Sequence, residues 1–386
     1  MNPNRLQPFR VDIDPATIER IHHRLTNARW AAAPDDDADW TYGTDARWLR
    51  SLVEHWVTRY DWRAAEHELN RWPQFMAEVA GQRVHFYHVK GSAPRPRPLL
   101  LTHGWPGSVL EFLGCVERLA HPQRFGGQAE DGFDLVIPSL PGYAFSQRPS
   151  RPIGPRAVAR MWRELMVDVL GYPAFAAQGG DWGAAVTNWL GAEHADVTRA
   201  IHLNMVPSWA LQASAAPDAE EAQYLQRVAA MRAKEMGYHA VQSTKPQTLA
   251  LALADTPLGF AAWVCEKFRT WSDTREGDIH SRFDRDTLIT NLMLYLVNDA
   301  AGTSLWMYRG RADEFAAGGV APRVEVPTGI ALFPAEIIPY PPRAMVERGY
   351  AVARWTPMPA GGHFAALEEP VAFSDEVRAF FRQIGY

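Results

Sequence analysis

Gly179-Gly180-Asp181-Trp182-Gly183 stands between the apolar run Phe175-Ala176-Ala177 and the helix-like stretch Ala184-Ala185-Val186-Thr187-Asn188-Trp189-Leu190. That order predicts a strand, a sharp turn and a helix, with Asp181 at the tip of the turn. Small residues on both sides suit such a turn, which is strained and has a helix packed closely behind it. A carboxylate presented there can attack an electrophilic sp³ carbon and leave an alkyl ester on the enzyme. A serine in its place would attack an acyl carbon. Asp181 therefore argues against an esterase and toward epoxides or haloalkanes.

Other residues fit the same chemistry. His103-Gly104-Trp105-Pro106-Gly107-Ser108 follows the strand-like Leu99-Leu100-Leu101-Thr102. A His-Gly-x-Pro turn can aim the Trp105 backbone N–H into a pocket, with the N–H of Trp182 as its partner in an oxyanion hole. Losing one such donor typically costs about 2.7–4 kcal/mol of transition-state stabilisation. Among 13 histidines, His363 is singled out by its setting, Ala360-Gly361-Gly362-His363-Phe364, after the last predicted strand and before the final helix. It completes the nucleophile–acid–histidine order of α/β-hydrolases. Glu336, just past a strand end, stands where an acid would orient the imidazole, with Asp299 and Asp313 as alternatives.

These residues need a scaffold, and the chain has the pattern of one. The 386 residues suffice for one large α/β domain with additions. A 47% apolar and 22% charged composition is that of a globular protein with a substantial core. Net charge is −5 and no basic stripe is interleaved with aromatics, so nucleic acid is not an expected partner. The N-terminus, Met1 to Arg10, lacks an apolar core of signal-peptide length, and no apolar run spans a bilayer. Only Cys115 and Cys265 are present, so no disulfide framework is implied and a cytoplasmic location is expected.

The first segment has helical spacing at Pro15–Leu25 and Ala46–Trp56. Strand-like runs then recur at Val84–Val89, Leu99–Thr102, Phe133–Pro138, Phe175–Ala177 and Thr198–Leu203, mostly separated by helical patterns. A Pro-rich connector, Gly91–Pro98, precedes the second of these. From about 206 to 305 only helical patterns remain, at Asp218–Met236, Phe260–Phe268 and Leu288–Val297. Strand signals return at Thr328–Phe333 and Ala351–Trp355. The expectation is an α/β class fold: a mostly parallel sheet, an inserted helical lid and an N-terminal helical extension. Its parts are an extension over 1–90, core over 91–205, lid over 206–305 and core over 306–386.

Phe9-Arg10-Val11, the two turns around Trp105 and Asp181, Thr328-Gly329 and Gly361-Gly362-His363-Phe364 together resemble the microsomal-type epoxide hydrolases over nearly the whole chain. The resemblance implies an α/β-hydrolase fold and conversion of an epoxide to a vicinal diol. It also implies two lid tyrosines that hold the epoxide oxygen, at Tyr238 in Met236-Gly237-Tyr238 and Tyr308 in Trp306-Met307-Tyr308. Membrane-bound members carry an N-terminal anchor, which this sequence does not show. No cofactor or metal is expected, since no CxxC, HExxH or Walker-type loop occurs. The expected partners are an apolar or aromatic epoxide and water. Association into a homo-oligomer is left open, as is the choice between detoxification and natural-product biosynthesis. Two rivals stand beside this reading: a haloalkane dehalogenase on the same fold, and a non-catalytic binding protein.

Overall fold

The computed structural model describes residues 6–95, 97–207, 211, 214–319 and 321–386. Residues 1–5 of the N-terminal stretch, Pro96 of the connector and 208–210, 212 and 213 at the start of the expected lid lie outside them.

Among the described residues nine strands form one sheet: β1 (Leu6–Phe9), β2 (Gln74–Val79), β3 (Gln82–Val89), β4 (Pro98–Thr102), β5 (Asp134–Pro138), β6 (Phe175–Gly179), β7 (Thr198–Leu203), β8 (Val324–Leu332) and β9 (Tyr350–Pro357). Their order is β1-β2-β3-β5-β4-β6-β7-β8-β9. The first three pairings are antiparallel and the remaining five are parallel. Every residue of β4, β5 and β6 is buried, because helices cover both faces of the parallel part. This is the α/β-hydrolase arrangement.

The helices expected near the N-terminus form at Pro15–Thr26 and Ala46–Thr58. Asp45 caps the second, accepting from the backbone N–H groups of Arg47 and Trp48. Leu49, Leu52, Val53 and Trp56 bury one stripe of it in the core. The extension is not purely helical, however. It also supplies β1 and β2, which pair through Phe9↔Gln74 and Phe75↔Phe86 and widen the sheet at one edge.

Between β7 and β8 the chain forms the helical layer, including helices Ala219–Glu235, Gly237–Thr244, Pro257–Thr270 and Arg285–Leu296. Helical structure continues through Trp306–Ala316, past the expected end of the lid at 305. The sheet resumes only at Val324, so Tyr308 belongs to this layer. Among the described residues, no single helix is long and apolar enough to cross a membrane. Cys115 and Cys265 are both buried and free.

Candidate active site

The site gathers at the carboxyl ends of β4, β6, β8 and β9, where open parallel sheets of this kind place their ligands. Asp181 follows β6 and opens the helix Asp181–Glu193. Its φ is +47°, a left-handed conformation that costs a non-glycine residue energy. The neighbouring glycines are explained by contact. A Cβ on Gly183 would overlap the Thr102 carbonyl oxygen, and one on Gly104 would overlap the Asp181 side chain itself. The strand, the turn and the helix can approach this closely only without those methyl groups.

Asp181 is held between two groups. Its Oδ1 accepts from the Trp105 N–H at 2.8 Å. Its Oδ2 lies 3.3 Å from His363 Nε2, within ion-pair reach, although that nitrogen makes no hydrogen bond with good geometry. The Trp182 N–H is in the first turn of the helix, where backbone donors have no intrahelical acceptor, and no side chain caps that end. The helix N-terminus also favours the carboxylate.

The Trp105 loop is fixed from both sides. Leu140 N–H donates to His103 Nε2 at 3.1 Å, so the His103 Nδ1–H donates to the Gly104 carbonyl at 3.0 Å. Burial pulls His103 down to about 4, which keeps it neutral in this structural role. From the lid, Asn291 Nδ2 donates to the Pro106 carbonyl at 2.8 Å, and Tyr295 donates to the Gly107 carbonyl.

His363 follows β9 and Glu336 follows β8. A bridge between Ala335 and Gly362 ties their loops together. His363 Nδ1 meets Glu336 Oε1 at 2.9 Å and Oε2 at 3.1 Å, which fixes the Nδ1–H tautomer on the carboxylate side. The Glu336 side chain has no solvent exposure and that of His363 has 3%, so this pair works in a low-dielectric setting. Burial alone would lower the His363 pKa, but Glu336 and Asp181 outweigh it and hold the imidazole well above the ordinary histidine value. Of the alternative acids, Asp313 is exposed and paired with Arg309, and Asp299 lies in the exposed bend before Ala300. Glu336 is the acid that meets the imidazole.

Tyr238 and Tyr308 converge from two lid helices. Tyr238 stacks on the Trp105 ring at 5.4 Å and 11°, and Tyr308 meets the Trp182 ring edge-on at 4.6 Å. Their own rings lie 5.8 Å apart. The hydroxyls are close enough to influence each other, yet the Tyr308 hydroxyl is buried without a hydrogen bond of good geometry. Burial drives both phenols well above the ordinary tyrosine value, so both are neutral donors. Together with Asp181, Trp182 and His363 they line a cavity of about 480 Å³, with Met205, Val206, Ile337 and Ile338 as apolar wall. A larger recess of about 700 Å³, by Phe9 and Arg148, contains none of these five residues.

Three features of the site carry no motif in the sequence. Trp271 accepts the His363 N–H on its carbonyl at 2.9 Å and places its ring 5.0 Å from the imidazole. Glu111 packs its carboxyl where Gly107 lacks a side chain, and burial pushes it up to about 8. Arg232 and Arg311 stand in the cavity wall.

Comparison with known proteins gives the family of the chain. The sequence matches a family model described as the epoxide hydrolase N terminus over residues 6–112, and one described as alpha/beta hydrolase fold over 97–248. It is 38% identical, over 98% of its length, to a Stigmatella aurantiaca protein provisionally named an epoxide hydrolase, of which it covers 85%. It is 31% identical, over 97% of its length, to epoxide hydrolase 1 of Sus scrofa, of which it covers 88%. Among solved structures, the Aspergillus niger epoxide hydrolase superposes with a TM-score of 0.86 at 29% identity, over 98% of this chain and 96% of that one. The juvenile hormone epoxide hydrolase of Bombyx mori gives 0.86 at 28% identity, over 100% and 96%.

Proposed function

The chain belongs to the epoxide hydrolases, and from that premise we propose that it opens its epoxide by covalent attack of Asp181. Asp181 Oδ2 attacks one ring carbon, the C–O bond breaks, and the developing alkoxide takes a proton or strong hydrogen bonds from Tyr238 and Tyr308. Such help is needed because an alkoxide is a poor leaving group. The product is a hydroxyalkyl ester in which Oδ1 remains the carbonyl oxygen.

Esterification discharges the Asp181 carboxylate. One of the two charges that raise the His363 pKa is thereby lost, so an imidazolium gives up its proton to solvent more readily and the neutral imidazole is available as the base. His363, oriented by Glu336, takes a proton from water as that water adds to the ester carbonyl carbon. Oδ1 becomes the oxyanion beside the N–H groups of Trp105 and Trp182. Collapse breaks the bond from the carboxyl carbon to Oδ2, the imidazolium returns its proton to Oδ2 as the vicinal diol leaves with it, and the oxygen from water stays on Asp181.

The observation that carries this reading is the placement of the two Asp181 oxygens, one on the Trp105 N–H and the other facing His363 Nε2. The oxyanion donor serves the enzyme's own carboxyl group, as an ester intermediate requires and direct attack of water on the epoxide does not. A haloalkane would leave as a halide without needing a proton, so the neutral lid phenols favour the epoxide. Intact Asp181, His363 and Glu336 at contact distance are more than a binding protein needs.

A single turnover in ¹⁸O-water, with enzyme in excess, tests the covalent step. The diol should be unlabelled and the label should appear in the peptide containing residues 179–183. Labelled diol with unlabelled Asp181 would make the aspartate a general base instead.

The lid phenols are tested by removing one hydroxyl at a time. Tyr238→Phe and Tyr308→Phe should each slow ester formation, by roughly 10²-fold or more for loss of a general acid. The double variant should be close to inactive, since one donor partly substitutes for two. Full alkylation rates in both single variants, measured by stopped flow, would remove the tyrosines from the mechanism.

A further inference from the structure

Lys267 is a buried lysine that the steps above leave unused. It lies on the helix Pro257–Thr270, and its side chain is 9% exposed. Its ammonium sits 5.0 Å from the centre of the Tyr238 ring and 5.7 Å from that of Trp271, both within cation–π range. Trp271 follows Lys267 by four residues, so one helix face carries both. The ring beside the ammonium is the one that stacks on Trp105 and meets Tyr308 edge-on. Lys267 also forms an ion pair with Glu266, whose side chain is 22% exposed and accepts from the Thr270 hydroxyl at 3.1 Å. The carboxylate is thus the outer, better-solvated partner, and water weakens its field more than that of the ammonium. What reaches Tyr238 from Glu266 opposes negative charge on the phenol.

A lysine on a lid helix can carry its head group into water. This one instead places it over the ring of a residue that must take up negative charge. As the epoxide C–O bond breaks, the Tyr238 proton moves toward the freed oxygen and charge grows on the phenol. The phenol regains a proton at the end of the cycle, from the one that the attacking water leaves on the Asp181 carboxyl group. A cation beside the ring attracts a neutral phenol weakly, through the ring quadrupole, and a phenol carrying negative charge more strongly. A contact that strengthens from ground state to transition state is the kind that raises the rate. We propose that Lys267 is a positioning residue for ring opening, acting through the Tyr238 ring to stabilise the charge that its phenol takes up. This role rests on the reading of Tyr238 as a donor to the epoxide oxygen.

Stopped-flow alkylation by styrene oxide reads this step directly. Lys267→Met keeps a long side chain and removes its charge, and should slow ester formation by roughly tenfold, the scale of one desolvated cation–π contact. Hydrolysis of the ester, which uses no phenol, should stay near the wild-type rate. Lys267→Arg should recover most of the loss, since it restores a cation. In a Tyr238→Phe background the same Lys267→Met change should slow alkylation by less than about twofold, because a phenylalanine takes up no charge. A merely structural role would lower the rate alike in both backgrounds. Glu266→Gln should have the opposite sign and raise the alkylation rate, since the opposing charge is gone and Lys267 remains. That variant decides the matter if Lys267→Met does not fold. Equal slowing in the two backgrounds, no slowing where Tyr238 is present, or a Glu266→Gln rate at or below wild type overturns the proposal. Alkylation at the wild-type rate by Tyr238→Phe alone would instead remove the donor on which it rests.

Discussion

Asp181→Ala is expected to abolish diol formation, lowering kcat by about four orders of magnitude or more, the scale seen when a nucleophile is removed from a cooperating triad. Among the described residues that line the cavity, Asp181 is the one carboxylate. Glu336 faces the opposite nitrogen of His363, and its side chain is fully buried. The fold should persist, because the Asp181 side chain is 19% exposed and fills no part of the hydrophobic core. The substitution removes an acceptor from the Trp105 N–H and one charge from beside His363, but the imidazole keeps Glu336 as its partner. Far-UV circular dichroism should therefore match wild type while turnover of styrene oxide vanishes. Residual turnover above about one per cent of wild type, in preparations free of revertant protein, would put the nucleophile elsewhere.

The elbow was legible in the sequence because its constraint leaves a trace in residue type. Gly183 and Gly104 are glycines since a strand, a loop and a helix meet within contact distance there, and the requirement survives in any reading of the chain. His363 was legible through its glycines and chain order. Its neighbour Trp271 was not, because a backbone carbonyl acting from the lid leaves no trace in residue type. The strands β1 and β2 were missed for a different reason. Leu6-Gln7-Pro8-Phe9 is four residues long with a proline in it, and Gln74–Val79 does not alternate cleanly. β2 is a strand because β3 offers an edge, and β1 because β2 then offers one, a long-range condition that no local window contains. The arginines at 232 and 311 were hidden among the 39 cationic residues of the chain, and only placement in the cavity wall separates them from surface charge.

His363→Gln should split the reaction into its two halves. Ring opening needs the Asp181 carboxylate and the phenols of Tyr238 and Tyr308, all of which remain. Hydrolysis needs a base for water, which glutamine cannot supply, and loss of such a base typically slows a step by about 10²–10⁴-fold. Intact-protein mass spectrometry after mixing with styrene oxide should show enzyme plus one substrate mass, persisting long after the wild-type adduct has turned over. Glu336→Gln should slow the same step by less, since the imidazole is still present but has lost the partner that fixes its tautomer and stabilises its charge. The adduct should map to the peptide carrying Asp181, tying the trapped species to the elbow. Rapid diol formation by His363→Gln with no adduct would refute the two-step scheme. A stable adduct would be accounted for by the same contacts that define the site: Oδ1 held by Trp105 as the ester's carbonyl oxygen, and an oxyanion pocket ready for a water that no base activates.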